Sequence, residues 1–249
     1  MIINTHKISH PFIGKGKKIE SMVRKAIFDF SLLCEVKSLA VALSGGKDSI
    51  CLLFMLKAIL GNGFKKVKLS AIHIDGDFSC GASFEKKFLK NLCDEIDVKI
   101  YFKEQKNTLK NFNCYTCSRQ RRKLIFDIAK ENDIDTIAFG HHRDDNIETL
   151  LLNLFHIGDF EAMQPKIKFQ KFDKTIIRPL IYVSEKDIIT FAKQNEILKT
   201  FCKCPMGQKS KRNDVKKIIL NIENNFPNIK SNLSKASFLY GSKKALLGK

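Results

Sequence analysis

The amino-acid sequence predicts an α/β fold built around a doubly wound parallel sheet. Short apolar runs rich in β-branched residues alternate along the chain with longer stretches of helical periodicity. One such run, 39–43, passes through two glycines directly into a helical stretch, an order that is typical of parallel sheets. With 249 residues, of which 44% are hydrophobic and 28% charged, the chain is long enough for one such domain with appendages and too short for two.

The predicted elements alternate as this fold requires. A helix over 19–34 precedes the sheet, because apolar residues recur along it at helical spacing. Strands are then expected at 39–43, 67–74, 98–102 and 136–139, and helices at 48–60, 83–96, 117–132 and 144–155. Pro165 and Pro179 bound an irregular region that contains the strand-like stretch 166–169. Ser184 then caps a helix over 185–195.

Charge is distributed unevenly over three expected parts of the chain: an N-terminal arm and helix over 1–35, the α/β domain over 36–198, and a basic extension over 199–249. The chain has 44 Lys and Arg against 26 Asp and Glu, a formal net charge of +18. The extension alone has 12 Lys and Arg and 2 Asp and Glu, so 12 − 2 = +10 lies there. Such a surplus favours a polyanionic partner, although a solvated basic surface would have the same composition.

Composition also indicates the compartment. No apolar run approaches the roughly 18 residues of a membrane span, and residues 1–18 lack the apolar core of a secretory signal. We therefore expect a cytoplasmic protein with no membrane partner. In a chain that is not exported, eight cysteines favour metal binding or catalysis over disulfide bonds.

Residues 44–49, Ser-Gly-Gly-Lys-Asp-Ser, follow the first predicted strand and open a helix. This arrangement directs backbone N–H groups and the positive end of a helix at one point, which makes a phosphate site. Gly45 and Gly46 allow a tight backbone and leave no Cβ in the way of an anion. The loop is not a Walker A motif, because Val41 stands where that motif has its first glycine and Asp48 follows the lysine. The alternative is an ordinary glycine turn.

Two further motifs follow predicted strands, and ligands of such sheets bind at the carboxyl ends of the strands. The first contains Asp75, which could hold adenosine or simply end its strand. The second reads Gly-His-His-Arg-Asp-Asp over 140–145. Its carboxylates, with Glu148 one helical turn on, could hold a divalent cation beside ATP, while His142 could offset phosphate charge. The alternative is that Asp144 or Asp145 only caps the helix.

The cysteines form two close pairs. Cys114 and Cys117 have ligand spacing and precede a basic helix, and Cys202 and Cys204 lie in the basic extension. Three chemistries remain open: an iron–sulfur cluster on three thiolates, a closed zinc site on four, or a redox or persulfide pair. Of the other four cysteines, three fall in apolar helical patterns that indicate core packing, namely Cys34, Cys51 and Cys93, whereas Cys80 lies in a predicted loop and its role stays open.

Taken in order, these motifs resemble those of the tRNA 2-thiocytidine synthetases, a family of PP-loop ATP pyrophosphatases. The resemblance covers about 35–220 and includes 44–49, 114–122, 140–145, Ile-Arg-Pro-Leu at 177–180 and Ser-Glu-Lys-Asp at 184–187. It implies that 36–198 is an ATP-binding catalytic domain and that the protein uses ATP, Mg²⁺ and a 4Fe–4S cluster to thiolate cytidine 32 of tRNA. It also implies a cysteine desulfurase or another sulfur donor as partner, and a homodimer is a further expectation.

The resemblance assigns roles to individual residues. It implies that the nucleotide is bound by Ser44, Gly45, Gly46, Lys47, Ser49, Asp75 and Gly140. Asp48, Asp145 and His142 would be catalytic, and Cys114, Cys117 and Cys204 would hold the cluster. Arg119, Arg121, Arg122 and the C-terminal lysines would meet the RNA backbone.

The chain departs from this family at its last cysteines. It has Cys-Lys-Cys-Pro over 202–205 where the thiocytidine enzymes usually have C-x-x-C-G. A cysteine before proline is similar to the related 2-thiouridine synthetases, which favours Cys204 over Cys202 as third ligand and leaves the RNA target open. Two other functions stay open. A tRNA lysidine synthetase would leave the cysteines unused, and a zinc-stapled RNA-binding module would leave the ATP loop unused.

Overall fold

The computed structural model describes residues 10–75, 86–105, 114–197 and 211–240, without the side chains of Cys114 and Tyr115. Six strands form one sheet in the spatial order β3-β2-β1-β4-β6-β5. Their bounds are β1 Ser38–Ala42, β2 Lys68–Asp75, β3 Lys99–Glu104, β4 Thr136–Ala138, β5 Lys166–Phe169 and β6 Lys174–Ile177. All neighbours pair in parallel except β5 and β6, which are antiparallel. The predicted doubly wound parallel sheet is therefore confirmed, with an antiparallel strand at one edge.

Eight α-helices lie within the described ranges. They are α1 Gly14–Asp29, α2 Lys47–Ile59, α3 Lys86–Glu95, α4 Cys114–Glu131, α5 Arg143–Ile157, α6 Glu185–Gln194, α7 Lys211–Asn225 and α8 Ile229–Tyr240. No helix of the described residues is long and apolar enough to cross a membrane.

The sheet is buried on both faces. Along β1, Leu39 and Val41 belong to a core shared with α1, α2 and α6, whereas Ala40 belongs to a second core built with α4. Successive side chains of a strand point to opposite faces, so a strand covered on both sides is apolar throughout. This explains why the 39–43 run shows no polar alternation.

Helix α1 begins five residues before its predicted start and ends five residues before its predicted end. Gly16 suggests a helix break, but a Cβ built on it would lie 2.9 Å from the Cβ of Phe12. Phe12 in turn packs edge-on against Phe191 of α6, with ring centroids 6.0 Å apart. The glycine thus serves a packing contact inside the helix. At the other end Ser31 adopts a left-handed φ of 47°, so the chain turns and Leu32 reaches the core outside a helix.

Three elements were not predicted. Strand β6 has only two buried apolar residues, Ile176 and Ile177, before Arg178 and Pro179. Two residues are too few to show the periodicity from which a strand is predicted. Helices α7 and α8 form in what reads as a basic extension. They are held by a small apolar cluster in which Val215 and Ile219 meet Ile147 and Leu151 of α5.

Candidate active site at the carboxyl edge of the sheet

A cleft of about 290 Å³ opens at the carboxyl ends of β1, β2 and β4. The strand order reverses between β1 and β4, and such switch points are where sheets of this class bind ligands. Apolar residues of β2 and α4 form one wall, including Ile72, Ile74 and Ile125. The polar lining comes from the loops after β1 and β4, from the first turns of α2 and α5, and from α4, namely Ser44, Asp48, Ser49, Arg121, Gly140, His141 and Asp145. Five predicted site residues therefore line one cleft.

The loop after β1 has the geometry of an anion site. Gly45 takes a left-handed φ of 86°, a conformation that glycine adopts without strain. Ser49 Oγ donates to the Gly46 carbonyl at 3.0 Å and lies 3.1 Å from Ser44 Oγ, which fixes the loop. Helix α2 begins at Lys47, and its N-cap, Gly46, supplies no side-chain acceptor. The first N–H groups of a helix have no partner within the helix, so they are available to an anion.

Gly140 brings the loop after β4 against this first loop. A Cβ built on Gly140 would lie 3.1 Å from both the Asp48 carbonyl carbon and the Ser49 nitrogen. Only glycine permits so close an approach of two backbones. The residue predicted to bind nucleotide thus has a packing role that keeps α5 next to the glycine loop.

His142 joins the two predicted carboxylates. It is the N-cap of α5: Asp145 N donates to His142 Nδ1 at 3.3 Å, and His142 N donates to Asp145 Oδ2 at 3.1 Å. Because Nδ1 accepts, the ring proton is on Nε2, which lies 3.4 Å from Asp145 Oδ2 and 3.8 Å from Asp48 Oδ1. His142 is 4% exposed and does not line the cleft. It therefore orients the acids.

The two cleft acids are in different environments. Burial acts to raise the pKa of Asp145, but its electrostatic interactions with His142 and His141, the hydrogen bond from the His142 backbone N–H and the charge of Arg212 outweigh burial and lower that pKa. Lys47 Nζ donates to Asp48 Oδ2 at 3.1 Å. It lies equally far from Asp48 Oδ1, which is buried and accepts no hydrogen bond from the described residues. A buried acceptor without a donor is costly unless a ligand satisfies it.

His141, which is not among the residues predicted from the sequence, lines the cleft. Its ring stacks on Phe139 with centroids 5.6 Å apart, and its Nδ1 accepts from Arg178 Nε at 3.3 Å. Burial and the charge of Arg178 lower the pKa of His141, so its imidazole is neutral at pH 7 with the proton on Nε2. The sequence shows two adjacent histidines, and only the exact start of α5 decides which one lines the cleft.

Arg121 also lies in the cleft, although it was expected at the RNA backbone. It follows Cys117 by one turn of α4, and its Nε and Nη2 are buried without a hydrogen-bond partner in the described part of the chain. A guanidinium with unsatisfied buried donors suits a phosphate or another anion. The signal in the sequence was the arginine-rich start of α4, which does not reveal the side that each arginine occupies.

The remaining predicted residues lie beside the cleft or outside the described residues. Asp75 ends β2, pairs with Lys86 at 3.4 Å and does not line the cleft. Cys117 is buried, and the Gln105 amide donates to its Sγ at 3.9 Å. Cys114 is the first residue of α4, and Cys204 lies outside the described residues. Within the described ranges, no group of three or more His, Cys, Asp or Glu residues is arranged to hold a metal ion.

The family model of the PP-loop domain matches residues 16–222. The chain is 34% identical over 225 residues to the tRNA-cytidine(32) 2-sulfurtransferase of Syntrophotalea carbinolica, which covers 87% of this chain and 86% of that protein. It is also 34% identical over 231 residues to the protein of that name from Geobacter sulfurreducens, with 88% of each chain covered.

One solved structure extends the likeness in three dimensions. The U34-tRNA thiolase NcsA from Methanococcus maripaludis, solved with its 4Fe–4S cluster, matches with a TM-score of 0.69. The match covers 90% of this chain and 77% of that chain at 22% identity, so it supports the fold. Motifs, cleft and relatives agree, and the chain belongs to the PP-loop proteins and, among them, to the tRNA-cytidine(32) 2-sulfurtransferase family.

Proposed function

We propose that this protein is an ATP-dependent tRNA sulfurtransferase that activates the C2 oxygen of cytidine 32 with AMP and replaces that oxygen with sulfur. The main observation in support of this proposal is the composition of the cleft. In a chain of this family, the glycine loop 44–49, the acids Asp48 and Asp145, and the helix that begins with Cys114 meet at one edge of the sheet.

The cleft suits ATP in both its walls and its polar groups. The apolar side, with Ile72 and Ile74, can cover adenine. The pyrophosphate would lie on the loop of Gly45 and Gly46, where uncapped N–H groups of α2 are free to donate. Arg121 would then satisfy its buried guanidinium with phosphate oxygens as negative charge moves toward the leaving group.

The chemistry requires two displacements. The C2 oxygen of the base attacks the α-phosphorus of ATP, the bond to the β-phosphate oxygen breaks, and pyrophosphate leaves. Sulfide from the sulfur donor then attacks C2, the C2–O bond breaks, and AMP leaves with its electron pair, so no external oxidant or reductant is needed. His141 lines the cleft with its Nδ1 engaged by Arg178, so its Nε2–H would be the group that donates to an oxygen that gains negative charge.

The donor set of the cleft fits Mg²⁺. Magnesium is commonly held by one or two carboxylates together with substrate phosphates. Asp48 Oδ1 is a buried acceptor without a hydrogen bond. The Asp48 and Asp145 carboxylates both lie close to the same ring nitrogen, Nε2 of His142, which keeps the two acids near each other. Asp48 and Asp145 would hold the ion, which would offset phosphate charge.

The chemistry of α4 also fits an iron–sulfur cluster. Cys117 is buried in the first turn of the helix that lines the cleft, and Cys114 precedes it by three residues. We propose Cys204 as the third thiolate, since three cysteines can hold a 4Fe–4S cluster and leave one iron open. When bound, the cluster would supply that open iron as the place where sulfide is held.

Two tRNA transcripts that differ only at position 32 test the proposal. Anaerobic protein with ATP, Mg²⁺ and sulfide should form 2-thiocytidine in the transcript with C32, with AMP in equal amount, and none in the transcript with U32. Nucleoside mass spectrometry and AMP quantification provide the measurement. Lysine-dependent AMP formation without thiolation would favour lysidine synthesis, and stoichiometric zinc without iron would favour a zinc-stapled RNA-binding module.

A further inference from the structure

Helix α7 contacts the first turns of helix α5 through Arg212. Arg212 Nη1 lies 3.6 Å from Asp145 Oδ1, and Arg212 Nε lies 3.5 Å from Glu148 Oε2. Its Nη2 also donates to Thr149 Oγ1 at 3.3 Å. Asp145 is thus held from two sides, by His142 on Oδ2 and by Arg212 on Oδ1.

One helical turn later, Lys216 reaches the glycine loop through one intermediary. Lys216 Nζ donates to Glu185 Oε2 at 2.6 Å, and Glu185 Oε1 lies 3.3 Å from Lys47 Nζ. Burial acts to raise the pKa of Glu185, but the hydrogen bond from Lys216 and the charge of Lys47 lower it to about 2. Glu185 is therefore a carboxylate shared between two lysines. Its backbone is fixed as well, because Glu185 N donates to Asp144 Oδ2 at 2.8 Å.

These ion pairs are not what seats α7. Val215 and Ile219 are buried against Ile147 and Leu151 of α5, and apolar contact of this kind holds a helix more firmly than half-exposed ion pairs do. The side chains of Arg212 and Lys216 keep 43% and 47% of their surface exposed. Their contribution is therefore to the position and charge of the groups they touch.

We propose that Arg212 and Lys216 are positioning residues through which helix α7 sets the geometry of the nucleotide cleft. Arg212 aims the Asp145 carboxylate, and Lys216 draws the charge of Glu185 away from Lys47 so that Lys47 can meet phosphate. In the sequence, helix α7 begins seven residues after Cys204, and this helix contacts Asp145 directly and Lys47 through Glu185. The inference rests on the proposed function only in taking the cleft as an ATP site.

Substitutions of Arg212 and of Lys216 should have different kinetic effects. Arg212→Ala should lower kcat for AMP formation about tenfold to a hundredfold, since a misaimed catalytic group costs this much, with KM for ATP nearly unchanged. Arg212→Lys, which keeps the charge, should recover part of kcat. Lys216→Gln should instead weaken ATP binding about twofold to fivefold, as expected for one half-exposed charge pair, because Glu185 then competes with phosphate for Lys47.

A double-mutant cycle tests whether Lys216 acts on ATP binding through Glu185. Glu185→Gln combined with Lys216→Gln should restore ATP affinity toward that of the unmodified protein, because the competing carboxylate is gone. Affinity is measured by calorimetry on protein without tRNA. Lys90→Gln is the matched control: it removes one lysine from an exposed ion pair with Asp94 on α3, and should change neither kcat nor ATP affinity. The thermal midpoint and the iron content should stay constant in all variants.

Four results separate the possibilities. Unchanged kcat in Arg212→Ala, or a double variant that binds ATP no better than Lys216→Gln alone, would overturn the inference. A parallel loss of thermal stability in Arg212→Ala that Arg212→Lys does not repair would reduce the contact to a structural one and overturn it too. Protein that binds ATP but does not thiolate tRNA would overturn only the proposed function, and the affinity cycle would still decide the role of Lys216.

Discussion

Gly140 and Asp48 touch through their backbones, although 92 residues separate them in the sequence. A Cβ on Gly140 would lie 3.1 Å from the carbonyl carbon of Asp48, so the loops after β1 and β4 have no room for a side chain between them. This contact places the glycine loop beside the acids of α5. The cleft depends on it.

The first prediction follows from that contact. Gly140→Ala should push the two loops apart and destabilise the protein by about 1–3 kcal/mol, the usual cost of overpacking. ATP affinity should fall as well, because Asp48 and Asp145 separate. Thermal unfolding and ATP calorimetry check both. A variant as stable as the unmodified protein would mean that the loops can separate without strain.

A second prediction uses Gly46, where an alanine has room. Its φ is −74°, and a Cβ would only meet Ser44 Oγ at 3.5 Å, an ordinary contact. Gly46→Ala should therefore fold with a thermal midpoint close to normal. If pyrophosphate lies on this loop, the new methyl group obstructs it, and ATP affinity should drop by about tenfold or more, the loss of roughly one charge-assisted hydrogen bond. Normal ATP affinity in a stable variant would leave the loop as an ordinary turn.

The third prediction concerns the cysteines. Cys114→Ala, Cys117→Ala and Cys204→Ala should each lose the iron and the visible absorption of anaerobically purified protein, while Cys202→Ala keeps them. Cys93→Ala is the control for a buried cysteine outside the site. If iron were lost in Cys202→Ala and kept in Cys204→Ala, Cys202 and not Cys204 would be the third ligand. Zinc in place of iron throughout would contradict the cluster itself.

A fourth prediction concerns stability and pH. Asp187 of α6 accepts from Lys15 and Lys18 of α1 at 2.8 and 2.9 Å. Burial acts to raise its pKa, but these bonds and the Ser184 hydroxyl lower it from 3.8 to about 2. A carboxyl group whose pKa is lower in the folded than in the unfolded protein stabilises the fold at pH values above its unfolded pKa. This contribution disappears as the pH falls through its folded pKa.

Asp187→Asn should therefore cost about 1–2 kcal/mol of unfolding free energy at pH 7, a range reduced because both lysines are roughly half exposed. The difference from the unmodified protein should shrink to about half by pH 3. Urea unfolding between pH 3 and 7 provides the measurement. Asp97→Asn, at a fully exposed carboxylate, is the control and should change little. A difference independent of pH would show that the charge of Asp187 is not what stabilises α6.

The fifth prediction separates two adjacent lysines of α7. Lys216 is engaged by Glu185, whereas Lys217 is exposed and forms no ion pair with the described residues. Lys217→Gln should weaken binding of all tRNAs alike and make the salt dependence of binding shallower by about one unit in log–log slope. Filter binding of two unrelated tRNAs across a salt series tests this. An unchanged slope would assign Lys217 to solubility.

The elements that depend on near neighbours can be predicted from the sequence alone. The apolar run of β1, the two glycines after it and the start of α2 form a local unit, and Ser184 caps α6 as its sequence position indicates. Periodicity and turn chemistry act over a few residues, so they can be recognised without knowing the fold. The same holds for the order of the motifs along the chain.

Which side chains meet in the cleft cannot be predicted from local sequence patterns, because it depends on how distant elements pack. Gly16 lies inside α1 because Phe12 needs the space, and His141 faces the cleft because His142 caps α5. Arg212 reaches Asp145 from a helix that begins 66 residues later. Such contacts depend on how helices pack across the sheet, and the free energy of packing is shared among residues far apart in sequence, so no local pattern carries it.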